Sequence, residues 1–142
     1  MVLPDVNVLV YAHRRDSPHH DLCRTWVERM IRSPRAYGMS ELVLFAFVRV
    51  VTHPRVFDPP STLGDALAFA GELLAPEHAV RVVPGPRHWD IFLKLCRDAD
   101  VRGNLVPDAY LAALAIESGC EWITTDGDYG RFADLVWRRP SL

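Results

Sequence analysis

Short apolar, β-branched segments alternate with stretches of helical period along the whole of this chain. "VLPD" reads as a strand ending at Asp5, and "VNVLVYAH" continues as one or two helical turns. "SPHHDLCRTWVERMIRS" is an amphipathic helix pattern, with Leu22, Trp26, Val27 and Met30 at helical spacing and Pro18 near its start. "AYGMS" is a short strand. "SELVLFAFVRVVTHP" follows as a helix with Ser40 as its N-cap and Pro54 just beyond its end. It is apolar nearly all round, so burial on several sides is expected. "HPRVFDPPS" is a proline-rich loop, and "STLGDALAFAGELLA" is a further helix. "VRVVPG" is a strand. "PRHWDIFLKLCRDADV" is a helix expected to pack Trp89, Phe92, Leu93 and Cys96 on one face. "RGNLV" is a loop. "PDAYLAALAIESG" is a helix with Pro107 at its first position and Gly119 at its stop. "EWITTD" is a strand, and "LVWRR" is a last, edge strand.

Such alternation predicts an α/β fold with a parallel sheet and helices on both faces. A length of 142 residues fits one domain over residues 1–142, with no internal repeat and no linker. The longest apolar run, Leu42 to Val48, is far short of the roughly 20 residues a membrane span needs. The N-terminus carries no basic stretch ahead of its apolar run, so it does not read as a signal peptide. Cys23, Cys96 and Cys120 lie far apart in apolar contexts, an odd number without metal-ligand spacing. Reduced thiols, no zinc site and a cytoplasmic location are the expectation.

Four carboxylates fall at related places in this pattern. Asp5 ends the first strand, and Asp126 ends the strand "WITT". Glu41 opens the helix after "AYGM", and Asp108 follows Pro107 at the start of another. Strand C-ends and the helix N-ends that follow them share one edge of a parallel sheet, where ligands bind in such folds. Singly, each has a structural reading: a cap, a favourable charge at a helix N-terminus, or an Asx-turn. Together they are costly, because two carboxylates about 4 Å apart repel by about 4 kcal/mol at an effective dielectric of about 20. No lysine is near any of them in sequence; the only lysine is Lys94. A hard divalent cation such as Mg²⁺ takes oxygen ligands and would offset the charge. Such an ion also activates water and stabilises a phosphoryl transition state. Metal-assisted phosphodiester hydrolysis is the chemistry this pattern favours.

The segments "LPDVNVLVYAHRRDSPHH", "SELVLFAFVRVVTHP", "NLVPDAYLAALAIESG" and "TTDGDYGRF" resemble the PIN-domain ribonucleases, in particular the VapC-type toxins of bacterial toxin–antitoxin pairs. Four separated motifs match in order over almost the whole chain. The resemblance implies a three-layer α/β/α sandwich with a mostly parallel central sheet, in agreement with the alternation of elements. It implies an endoribonuclease dependent on Mg²⁺, with Mn²⁺ as a substitute, and in-line attack by an activated water that leaves a 5′-phosphate and a 3′-hydroxyl. Asp5, Glu41, Asp108 and Asp126 occupy the family's acidic positions. Asp5 and Asp108 are expected to ligate directly, then Asp126, with Glu41 acting through water. Asp128 binds a second ion or only caps the turn.

Asn7 matches a "DxN" pattern and either orients Asp5 or is a polar turn residue. Thr124 and Thr125 either bind phosphate or fix Asp126, and Asn104 matches a polar position before its helix or is plain loop. Tyr129 and Phe132 are expected to pack the last turn. His13, His19 and His20 sit in a polar turn where the carboxylate chemistry requires none of them. Implied partners are a cognate antitoxin, an RNA substrate of the tRNA or rRNA kind, and a second copy in a homodimer; no membrane partner is expected. Two alternatives share parts of the pattern. A phospho-acceptor receiver domain needs a lysine at a late strand end, and Lys94 falls mid-helix. A non-catalytic RNA-binding PIN module would have lost acidic positions, and all four are filled here.

Basic residues are uneven. Eight basic and five acidic residues lie up to Arg55, against eight basic and 13 acidic beyond it. All basic residues but Lys94 are arginine, a side chain suited to phosphate.

Overall fold

The computed structural model describes all of residues 1–142. Five short strands alternate with six helices: β1 (Val2–Pro4), α1 (Val6–His13), α2 (His20–Arg32), β2 (Tyr37–Met39), α3 (Glu41–Val51), α4 (Leu63–Leu74), β3 (Ala79–Arg81), α5 (His88–Asp98), α6 (Leu105–Ser118), β4 (Glu121–Ile123) and β5 (Trp137–Arg138). A 3-10 turn over Gly127–Arg131 follows β4. Every ladder is parallel: β1 pairs with β4, β4 with β5, and β2 with β3. The ladders form a three-stranded sheet ordered β1-β4-β5 and a two-stranded sheet of β2 and β3, and the helices pack in two groups, α1 to α4 and α5 with α6. This is the expected α/β layering, and it explains why the strands β1, β2 and β4 read as unbroken apolar runs.

β2 lies beside β1 at Gly38. A Cβ there would meet Val82 Cγ2 at 2.9 Å, and Leu3 Cδ1 and Val2 O at 3.4 Å. Gly119 ends α6 in the left-handed region, at φ 66°, where a side chain would be strained. The three thiols are free, with Cys23 and Cys120 buried. No helix is long and apolar enough to cross a membrane.

Three local expectations are corrected. α6 starts at Leu105, so Pro107 is its third residue and Asp108 its fourth. The N–H groups of Leu105 and Val106 donate to the carbonyls of Arg102 and Gly103, which pulls "LV" into the helix. Proline is tolerated there because N–H groups of a first helical turn have no intrahelical partner. On α5, the buried residues are His88, Phe92 and Leu95, while Trp89 is 58% exposed. The His88 ring occupies the inner face instead, its Nε2 meeting the Tyr110 carbonyl at 2.9 Å. Finally, α3 is not buried on several sides. It buries Val43, Leu44, Phe47 and Val51, but Phe45 is 70% exposed.

Candidate active site

The carbonyl ends of β1 and β4 are tied together by side chains. Asp5 caps α1, its Oδ1 accepting from the Val6 N–H at 2.6 Å. Its Oδ2 accepts from the Thr124 hydroxyl at 2.6 Å and from Asn7 Nδ2 at 3.0 Å. Asn7 also donates to Thr124 Oγ1 at 3.0 Å and accepts from the Thr125 N–H at 3.2 Å. Thr124 is fully buried, and its Oγ1 accepts from the Asp126 N–H at 3.0 Å. Asn7 thus bonds Asp5, and Thr124 bonds both aspartates.

Asp5 is only 5% exposed. Burial pushes its carboxyl up to about 7, and the charges of Asp108 and Asp126 add to that rise. The hydrogen bonds from Thr124 and Val6 oppose it. Asp108 is also raised, by burial first and by Asp126 second. The Tyr129 hydroxyl donates to Asp108 Oδ1 at 3.4 Å. Burial and the surrounding carboxylates hold that phenol in its neutral, donating form. Tyr129 and Phe132 are both buried and pack the last turn as expected. The link from Tyr129 to Asp108 was not visible in the sequence; its only signal is the position of Tyr129 one turn after Asp126.

Asp5, Asp108 and Asp126 line one cleft of about 440 Å³. Tyr11, Val50, Val56, Phe57 and Leu111 form its apolar wall, and Arg49 stands on it. Arg49 is a further residue that motif reading missed, since it lies two turns along α3 from the acidic position. The proline-rich loop that supplies Val56 and Phe57 is held by Arg14. That guanidinium lies 4.3 Å from the Phe57 ring, donates to the Pro59 carbonyl at 3.0 Å and pairs with Asp16 at 2.7 Å.

Glu41 is not brought to this cluster. It is exposed and forms an ion pair with Arg81 at the end of β3. The expectation that all four carboxylates converge is thus corrected to three. β3 lies parallel to β2, and that register puts Arg81 opposite Met39, two residues before Glu41. Asp126 Oδ1 accepts from the Asp128 N–H at 2.8 Å, and Asp128 is exposed, 3.8 Å from Arg131. It does not line the cleft, although its charge adds to the rise at Asp108. Asn104 stands at the N-cap position of α6 without a side-chain capping bond, exposed and outside the cleft. The Thr125 carbonyl accepts from Arg139 at 2.5 Å.

The histidines are engaged in packing. His13 meets Ser61 Oγ at 3.1 Å, and the Phe47 and Phe69 rings lie 5.4 and 5.1 Å from it. His20 Nδ1 lies 2.9 Å from the Tyr11 carbonyl, and His19 packs on the Tyr11 ring. Lys94 lies within α5 and pairs with Asp98 and Asp134 on the surface.

No three of the acidic side chains form a preassembled ligand group. The donor set still suits Mg²⁺, which keeps several waters and needs only one or two carboxylates. Three aspartates on one cleft, two of them raised by burial and mutual repulsion, are the kind of site a divalent cation relieves.

The PIN-domain family model matches residues 2–135. Ribonuclease VapC25 of Mycobacterium tuberculosis is 41% identical over 142 residues, the full length of both chains. The chain belongs to the PIN-domain family of VapC ribonucleases. Ribonuclease VapC43 of the same species is 44% identical over 140 residues, covering 99% of this chain and 95% of its own. Among solved structures, VapBC2 from Rickettsia felis bound to a promoter DNA fragment aligns with a TM-score of 0.71 at 16% identity, covering 99% of this chain and 100% of that one. Mycobacterium tuberculosis VapC20, a sarcin–ricin-loop-cleaving toxin, aligns with a TM-score of 0.65 at 16% identity, covering 96% and 99%. At that identity these likenesses establish the PIN fold.

Proposed function

We propose that this PIN domain is the toxin of a toxin–antitoxin pair and cleaves RNA as an endoribonuclease dependent on Mg²⁺ or Mn²⁺. The observation that carries this is the shared cleft of Asp5, Asp108 and Asp126. When bound, a divalent cation supplies Lewis acidity and an acidified water. The chain's residues supply the rest. Asp5 and Asp108 are the direct ligands, with Asp126 beside them. Thr124 and Asn7 hold Asp5 in place, and Tyr129 holds Asp108. Glu41 acts from outside this shell, through water. Arg49 meets a phosphate, and the wall of Tyr11 and Phe57 takes a base while keeping bulk water out. In the reaction, water oxygen bonds to phosphorus and the bond to the 3′ oxygen breaks. That oxygen gains a proton, leaving a 3′-hydroxyl and a 5′-phosphate.

A cognate antitoxin is the expected partner, supported by the VapBC structures among the neighbours. It would close the cleft by presenting a positive side chain to the aspartates. The exposed apolar positions Phe45, Leu63 and Leu67 on α3 and α4 supply a face for a second copy of the chain. Structured RNA of the tRNA or rRNA kind is the proposed substrate.

The test uses purified, antitoxin-free protein with total cellular RNA, with Mg²⁺, with Mn²⁺ or with chelator, beside Asp108→Asn. Discrete fragments that need metal and disappear in the variant are expected. Replacing a partner that only supports a metal ligand costs about 10–100-fold, so loss of a ligand should exceed about 100-fold. Cleavage that survives both chelator and variant would sink this reading. RNA bound but never cut would leave a binding module in its place.

A further inference from the structure

The far edge of the sheet carries a second cleft, about 460 Å³, at the strands' amino ends. Arg29, Arg35 and Arg138 line it, with Ser33, Ser141 and one acidic residue, Glu121. Arg138 pairs with Glu121 at 3.1 Å. Arg29 and Arg35 are exposed and have no carboxylate partner. Other arginines of the same helix do: Arg24 and Arg32 both reach Glu28. A cation in the last turn of α2 favours the helix dipole by about 0.3–1 kcal/mol, which accounts for Arg29. It does not account for Arg35, which lies beyond the helix, nor for three guanidinium groups on one cleft.

The edge strand links this cleft to the aspartates. Arg138 in β5 folds back to Glu121, at the start of β4. The next residue, Arg139, reaches forward to the Thr125 carbonyl beside Asp126. Two consecutive arginines therefore mark opposite ends of one short strand edge. Along β1, which runs from beside this cleft to Asp5, the separation is four residues, about 13 Å at ~3.3 Å per residue.

We propose that the arginine cleft at the amino-end edge of the sheet binds the phosphodiester backbone of the RNA substrate, away from the bond that is cut. Guanidinium forks match phosphate oxygens, and the cleft offers two that nothing else neutralises. A chain with one charge per nucleotide passes from the aspartate cleft past Arg139 and Arg138 to Arg29 and Arg35. The cleft thereby selects RNAs long enough to reach both sites. This inference rests on the ribonuclease reading.

The test is fluorescence anisotropy of chelator-treated protein with a labelled short oligouridine and a labelled long one, over a range of salt. Three proteins are compared: the unaltered chain, Arg29→Ala with Arg35→Ala, and Arg29→Lys with Arg35→Lys. Metal-dependent cleavage of the short RNA is measured alongside. The alanine pair should weaken the long RNA roughly tenfold and lower its salt slope by about 1.4, at ~0.7 per single-strand phosphate contact. Affinity for the short RNA, and its cleavage, should not change. The lysine pair should keep the slope, since charge remains. Unchanged long-RNA binding in the alanine pair, with cleavage intact in all three, overturns the arginine site and leaves the nuclease standing. A slope lost equally in the lysine pair also overturns it. Failure of the unaltered chain to cut or bind any RNA overturns the nuclease reading and this site together. Poly-glutamate binding that the alanine pair loses while keeping RNA would assign the cleft to an acidic protein segment, and so overturn the RNA assignment.

Discussion

Asp5 sits where water is scarce, between two other carboxylates, and that placement sets how the fold responds to pH. Its ordinary value of 3.8 rises to about 7. The folded protein therefore keeps a proton that the unfolded chain has already released. By linkage, the stability from Asp5 is full below about pH 4 and is lost as pH rises through about 7. In chelator, Tm should fall between about pH 4 and pH 7, and Asp5→Asn should flatten that fall. A slope identical in the variant would assign the effect to other groups. Added Mg²⁺ should raise Tm most at the upper end, because ligands must be deprotonated to bind. Glu41 makes a contrasting case. It is paired with Arg81 and stands outside the cleft. Glu41→Gln should therefore slow cleavage less than Asp108→Asn does in the same RNA assay. Equal losses in the two variants would place Glu41 among the direct ligands. Asp5, Asp108 and Asp126 were legible as a group because strand ends and helix starts share an edge. The position of Glu41 was not, because its partner lies forty residues away on a strand whose pairing the chain does not announce.

Among the elements, alternation of period located every strand and helix, while faces and ends were harder to read. α5 shows why. Its apolar residues fit two overlapping stripes, and a buried histidine bonded to the Tyr110 carbonyl decided between them. α3 reads as apolar all round because Phe45 lies on a face that no other element of this chain covers. β2 is tightly packed at Gly38. Gly38→Ala would place a methyl group 2.9 Å from the stiff side chain of Val82. The expected loss is about 1–3 kcal/mol, read as a lower denaturation midpoint with the m-value unchanged. No loss would mean that β2 and its neighbours part more easily than their packing implies.

For the whole molecule, the open face of α3 and α4 is the feature that association should use. Phe45→Asp is expected to convert a dimer to a monomer in sedimentation, with the far-ultraviolet spectrum kept. A monomer before the substitution would remove self-association from the reading and leave the antitoxin as the occupant of that face. The sequence was informative about the α/β layering and about the edge where three aspartates meet. It was silent about the second cleft, since Arg29, Arg35 and Arg138 are brought together only by the meeting of α2 with the sheet edge.

The bonds from Thr124 and Asn7 at the carbonyl edge join positions 117 and 119 residues apart. They have a consequence for when the cleft can form. During synthesis, Asp5 emerges long before the threonine that holds it. A chain cut short before β4 lacks Thr124 and Asp126, along with the strand that pairs with β1. The three-aspartate cleft can therefore assemble only after β4 and the turn that follows it have been made.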